Sequence, residues 1–230
     1  MGFGATLKRI REQQGLSQEE VARVLGVSRT TVGDIEKDKR DIEYGEMKNL
    51  AAFLRINVVD LFDDNAVPQA RLGKYREMLM QAALSFRKAT GKDIPKTFLA
   101  KLVYLADFAW FYQHLEPMSG MTYYRREYGP LADEYFTVLG ILVDEGQLQT
   151  AHGKQAQWYR PALSDEQPFS PQYLSAKEIE LIERIVGKWK GATTAEIVEF
   201  THGQLPWQIC LPNEKIPYSL ITQEEPEHVY

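Results

Sequence analysis

Two short amphipathic segments joined at a single glycine, SQEEVARVLGVSRTTVGDIEKDKR over residues 17–40, constrain this chain more than any other stretch. Ser17 stands where a helix N-cap belongs, and Glu20 three residues on completes a capping box ahead of Val21, Val24 and Leu25 at helical spacing. Gly26 supplies the stop. Ser28 predicts a second cap, with Val32 and Ile35 facing inward and Arg29, Thr30, Thr31 and Gly33 outward near the helix start. Ala22 is small where the two helices must approach closely. Such a pair is either a plain hairpin in a core or a device that lays its second helix in the major groove, where the N-terminal side chains meet base edges.

The flanks favour the second arrangement. A helix carrying Leu7 and Ile10 precedes the pair and stops at Gly15; two follow, one with Met47, Leu50, Ala51 and Leu54 on one face, then the short VVDLF turn at 58–62. Five small helices in succession, together with the line LSQEEVARVLGVSRTTVGDIE, resemble the lambda-repressor-like (Cro/CI, XRE) helix-turn-helix family. The resemblance implies that Gln18, opening the second helix, touches a phosphate and that Ser28, Arg29, Thr30 and Thr31 belong to the DNA-facing set. It also implies that Lys37, Lys39 and Arg40 lie near the DNA backbone. A module of this size makes few contacts alone, so a homodimer on a pseudopalindromic operator is expected.

Charge is consistent with selective rather than indiscriminate binding. Residues 1–64 hold ten Lys or Arg against twelve Asp or Glu, yet eight of the basic residues fall in the first forty positions, against six acids there. The counterion release that drives non-specific binding scales with the phosphates neutralised, and a modest local patch neutralises few.

The whole chain, 230 residues with 44% hydrophobic content, has room for about two domains. Its single cysteine, Cys210 between Ile209 and Leu211, reads as a buried inert thiol; with no disulfide framework possible, a reducing cytoplasm is expected. No run approaches the ~18 apolar residues of a membrane span. The start, MGFGAT, formally satisfies the myristoylation pattern, but it runs straight into the first helix without a polybasic second signal. The turn-prone DDNAVPQA places a boundary after a first domain of 1–64, with 65–70 as linker and a second domain from 71 to 230.

That second domain reads as mostly helical with one small β-hairpin, so the chain as a whole is mainly α. A helix runs from about Leu72 to Lys88; Pro95 then fits the first turn of KTFLAKLVYLADFAWFYQ, which is apolar on nearly all sides and belongs in the middle of a domain. Gly129-Pro130 breaks the chain before the helix LADEYFTVLGILVDEG, and QLQTAHGKQAQWYRPA alternates around a His-Gly-Lys turn as a hairpin. Ser175 caps a helix with Ile179, Ile182 and Ile185, TTAEIVEFTHG forms a shorter one, and the proline-rich stretch from Leu205 onward reads as mostly irregular chain that wraps the domain.

Within this domain Tyr123, Tyr124, Arg125, Arg126 and Tyr128 form a cluster of the residue types that dominate interface hot spots; the same composition also suits a surface turn with arginines snorkelling over a core tyrosine. The line KLVYLADFAWFYQHLEPMSGMTYYRREYGPLADEYFTVL, followed by a hairpin, an S-x-x-E helix and THGQLPW…IPYSL, resembles the Panacea domain of SocA-like antitoxins over about residues 71–222. The resemblance implies direct neutralisation of a cognate protein toxin, here expected through the Tyr123–Tyr128 stretch.

No enzyme is expected, and no cofactor or metal. The sequence has no Gly-rich phosphate loop, no H-E-x-x-H and no paired cysteines, and His114, His152, His202 and His228 are scattered. A His202–Cys210 dyad lacks a visible orienting group. Asp107, Asp133 and Glu134 read as solvated helix faces rather than paired carboxylates. Two rival readings remain at this level: a stand-alone transcriptional regulator whose second domain senses a small ligand, and an adaptor that delivers a toxin to a protease.

Overall fold

A computed structural model describes residues 3–54, 56, 58, 61, 69–152, 157–162 and 169–230. The chain divides into two compact units, Met1–Leu72 and Gly73–Tyr230. The first holds helices α1 (Phe3–Gln13), α2 (Gln18–Leu25), α3 (Arg29–Ile35) and α4 (Tyr44–Leu54). The capping box forms as its residues require: the Ser17 hydroxyl accepts the Glu20 N–H while the Glu20 carboxylate accepts that of Ser17. Gly26, at φ 67°, ends α2 in the left-handed region that a side chain would oppose. Ser28 caps α3 through the Thr31 N–H.

Leu7, Ile10, Val21, Val32, Ile35, Leu50 and Leu54 are fully buried in one apolar cluster, with Ala22 beside them. The short turn read at 58–62 lies outside the described residues except for Val58 and Leu61, which both pack on this cluster. A buried ion pair supports it from the side. The Arg11 guanidinium reaches both oxygens of Glu36, at 2.5 and 3.1 Å, and also donates to the Leu16 carbonyl at 2.8 Å. That fork binds α1 to the end of α3 and to the entry of α2.

Helix α5 (Gln69–Thr90), all but its first four residues in the second unit, begins at Gln69, so the last two residues of the expected linker are already helical, while 65–68 lie outside the described residues. Then come β1 (Ile94–Pro95), α6 (Lys96–His114), β2 (Tyr123–Arg126), β3 (Gly129–Ala132), α7 (Tyr135–Asp144), β4 (Leu148–His152), β5 (Gln157–Pro161), α8 (Ala176–Trp189), α9 (Thr194–Gly203), α10 (Leu205–Ile209) and β6 (Lys215–Ile216). Short 3-10 turns at Tyr218–Gln223 and Pro226–His228 close the chain.

Helix α6 is the axis. Every residue from Phe98 to Ala109 is buried, as its all-round apolar pattern predicts, because α8, α9, β3 and the turn at Tyr218–Gln223 all pack on it. Pro95 does not occupy its first turn but stands at the N-cap with extended backbone, paired in β1 opposite Trp158.

The expected hairpin is present as β4 and β5, its turn at 153–156 outside the described residues, and β1 extends it to a three-stranded antiparallel sheet. A second antiparallel sheet, in the order β3-β2-β6, stands beside the one hairpin that the sequence predicts. Gly129-Pro130 does not simply break the chain before a helix; it opens the return strand β3, opposite Arg126 and Arg125. Nor is the C-terminal stretch mostly irregular: α10, β6 and the two 3-10 turns take up the larger part of it. Pro206 suits the first turn of α10, where its missing N–H costs nothing, and the buried Gln204 amide donates to the carbonyls of His228 and Val229, tying down the chain's end.

Candidate functional site

Helix α3 buries only Val32 and Ile35, leaving its first turn free of packing duties. Arg29 and Thr30 are exposed there, as are the cap Ser28 and, beyond the helix, Lys37 and Lys39. Thr31 is half-buried, its hydroxyl 2.9 Å from that of Ser28. Two other residues of the expected DNA-facing set are already engaged. The Gln18 amide donates to Glu36 at 2.8 Å, which joins it to the buried Arg11 pair, and Arg40 pairs with Glu46 at 3.1 Å.

The Tyr123–Tyr128 stretch divides by strand geometry. Alternation along β2 sends Tyr123 inward, where it is 1% exposed, so it cannot form part of a docking surface as the cluster reading had it. Tyr128, in the β2–β3 turn, is 65% exposed. Arg125 is half-buried and serves the fold: it donates to the Cys210 carbonyl at 2.5 Å and lies 3.9 Å over the Trp207 ring. His202 stacks on the same indole at 4.0 Å, so the Thr201-His202 to Trp207 spacing gathers around β2. Arg126 reaches Asn213 at 2.8 Å and lies over Tyr124, but its side chain keeps 41% exposure. Exposed Ile209 and Leu211 flank buried Cys210, whose carbonyl holds Arg125. Burial pushes the Cys210 thiol up, away from thiolate chemistry.

Asp107 corrects another reading. It is not on a solvated helix face but fully buried, and neutral donors rather than a cation satisfy it. The Ser119 N–H donates to Oδ1 at 3.0 Å, the Ser119 hydroxyl bonds Oδ2, and the hydroxyls of Tyr123 and Tyr218 approach Oδ2 at 3.1 and 2.9 Å. Burial raises its carboxyl above the usual range against the pull of those bonds. Phe108 stacks on Tyr218 at 4.5 Å and meets Tyr123 edge-on. The L-V-Y-L-A-D helix, β2 and the IPYSL segment thus meet on one carboxylate. Six residues earlier on α6, Lys101 is 2% exposed, donates to the Pro130 carbonyl at 2.7 Å, and is lowered by burial to about 7. Gly129, at φ 92°, is required beside it, since a Cβ there would come within 2.9 Å of Lys101 Cε and of Thr201 Oγ1.

Among the described residues no helix is long and apolar enough to cross a membrane. Residues 7–61 match the helix-turn-helix family model, and residues 99–208 match that of the antitoxin SocA-like Panacea domain. No curated protein and no solved structure matches the chain. The Panacea match begins within α6 and ends at Gln208 in α10, so it takes in Asp107, β2, β3 and the His202–Trp207 stack. A helix-turn-helix domain joined to a SocA-like Panacea domain is the architecture of this chain.

Proposed function

We propose that the chain is the antitoxin of a toxin–antitoxin pair, whose Panacea domain, residues 71–230, captures a cognate protein toxin directly while the helix-turn-helix domain, residues 1–64, represses the chain's own operon from the cytoplasm. It acts by binding and not as an enzyme. The observation that carries this reading is the union in one chain of an antitoxin-like domain with a helix-turn-helix whose α3 keeps Arg29 and Thr30 exposed at its start. Arg29 reads a guanine through its two-pronged guanidinium, Ser28, Thr30 and Thr31 sit on neighbouring DNA, and Lys37, Lys39 and Arg40 approach phosphates. Two copies bind half-sites about one helical turn apart. Tyr124, Arg126 and Tyr128 face the toxin.

The test is co-expression with the product of the adjacent reading frame. That product alone stops growth, residues 69–230 restore it without the DNA-binding domain, and Arg29→Ala in the full chain lowers operator affinity by about 1–3 kcal/mol while rescue persists. A harmless neighbour, or a folded 69–230 fragment that does not bind a toxic one, would sink the proposal. Toxin half-life that shortens when the antitoxin is present would replace capture with delivery to a protease.

A further inference from the structure

Beside Lys101 the second unit contains a cavity of about 350 Å³; the toxin reading uses Arg126 and Tyr128 of its lining and leaves Lys101 without a role. Three of its lining residues are cationic, Lys96, Lys101 and Arg126, and three are aromatic, Tyr128, Tyr135 and Phe136; among the described residues no Asp or Glu lines it. Of its three cations Lys101 is distinctive. Its ammonium has three donors, of which the Pro130 carbonyl takes one, and among the described residues it has no carboxylate partner. A buried ammonium without an anion is costly, so cores pair it or leave it neutral. The other two cations are already engaged: Lys96 lies 5.3 Å over the Phe136 ring, and Arg126 bonds Asn213 with Asp133 at 3.7 Å. A buried positive charge at an aromatic wall matches a negative charge on an apolar body.

We propose that this cavity binds a monoanionic carboxylate carried on an apolar or aromatic body, its charge seated against Lys101 Nζ. Such a group completes the donor set of Lys101, while Tyr135, Leu131 and Phe136 cover the body. The carboxylate comes either from a free small acid or from an acidic side chain of a partner protein; the chemistry is shared. The proposal does not depend on the toxin reading, since it concerns an affinity of the isolated chain.

Calorimetric titration of the full chain with phenylacetate, with its neutral isostere phenylacetamide, with acetyl-Phe-Glu-amide and with inorganic phosphate tests it. At least one of the two carboxylates binds one per chain, phenylacetamide binds at least tenfold more weakly than phenylacetate, and Lys101→Met abolishes carboxylate binding with its helical circular dichroism intact. Tighter binding of phenylacetate identifies a free acid as the natural occupant, and tighter binding of the peptide identifies a partner's side chain. If Lys101→Met does not fold, Phe136→Ala, at a residue 55% exposed, and Lys96→Gln must each weaken the carboxylate at least threefold. No carboxylate binding at millimolar concentration, equal binding of the neutral amide, preference for phosphate, or a folded Lys101→Met that binds normally would each overturn the assignment.

Discussion

The two units bury charge in opposite ways. In the first, Arg11 and Glu36, 7% and 6% exposed, neutralise each other and recruit Gln18 and the Leu16 carbonyl. In the second, Asp107 and Lys101 are buried on the same helix without pairing: hydroxyls and an N–H satisfy the acid, one carbonyl the base. Pairing favours the charged guanidinium: the hydrogen bond that Arg11 donates to Glu36 raises the Arg11 pKa. An isolated buried charge is instead pushed toward its neutral form, so the second unit carries its electrostatic cost where pH can reach it. The small unit is held by an internal ion pair, the large one by aromatic packing around single charges.

The largest effect that would break this comparison is at Glu36. Removing it in Glu36→Ala strands the Arg11 guanidinium and the Gln18 amide, and the first unit should lose about 3–5 kcal/mol, a large part of a small domain's stability. The melt of the second unit should not change. If the first unit lost less than ~1 kcal/mol, the pair would be no stronger than a surface one.

The next test is a pH titration of the second unit. Lys101 is lowered from 10.5 to about 7, so above pH 7 the unfolded chain binds a proton that the folded chain does not, and stability should rise with pH. The slope should approach about 1.4 kcal/mol per pH unit between pH 7.5 and 9, and Lys101→Met should flatten it. Below that window Asp107 acts with the reverse sign: its raised carboxyl favours the fold at low pH, and that contribution fades as pH climbs above the ordinary carboxylate range. Above it, burial holds Tyr104 and Tyr123 protonated in the fold, so stability falls as their unfolded forms ionise near pH 10. A melt flat between pH 7.5 and 9 in the unaltered chain would mean that Lys101 stays charged.

A smaller effect separates the two arginines of β2. Arg125→Ala loses the Cys210 carbonyl bond and the Trp207 contact, and should cost about 1–2 kcal/mol by chemical denaturation. Arg126→Ala, more than a third exposed, should cost less than ~0.5 kcal/mol. Equal costs would remove the division of β2 into a structural and a surface arginine. This also makes Arg125 a poor probe of toxin binding, because a charge reversal there disturbs the fold first.

The last test is Ser28→Ala. Loss of its bond to the Thr31 N–H should cost about 1 kcal/mol of the first unit and fray the start of α3, where Arg29 and Thr30 stand. A variant as stable as the parent would show that packing of Val32 and Ile35 alone sets that helix.

What the sequence determined by itself was local: caps, glycine stops and 3.6-residue periodicity place α2, α3, α6, α8 and α9, because each depends on neighbours within a turn or two. The exposed start of α3 follows from the same arithmetic, since two inward residues leave the others outward. Tertiary structure alone decided the rest. Residues from 107, 119, 123 and 218 converge on Asp107, and no spacing rule announces a bond spanning more than a hundred positions. Strand pairing is non-local in the same way: β6 lies ninety residues from β2, and only that pairing shows Tyr123 as core and Arg125 as a brace. Asp107, in an apolar helix, reads as a solvated face until the elements covering it are known, and those elements come from distant parts of the chain.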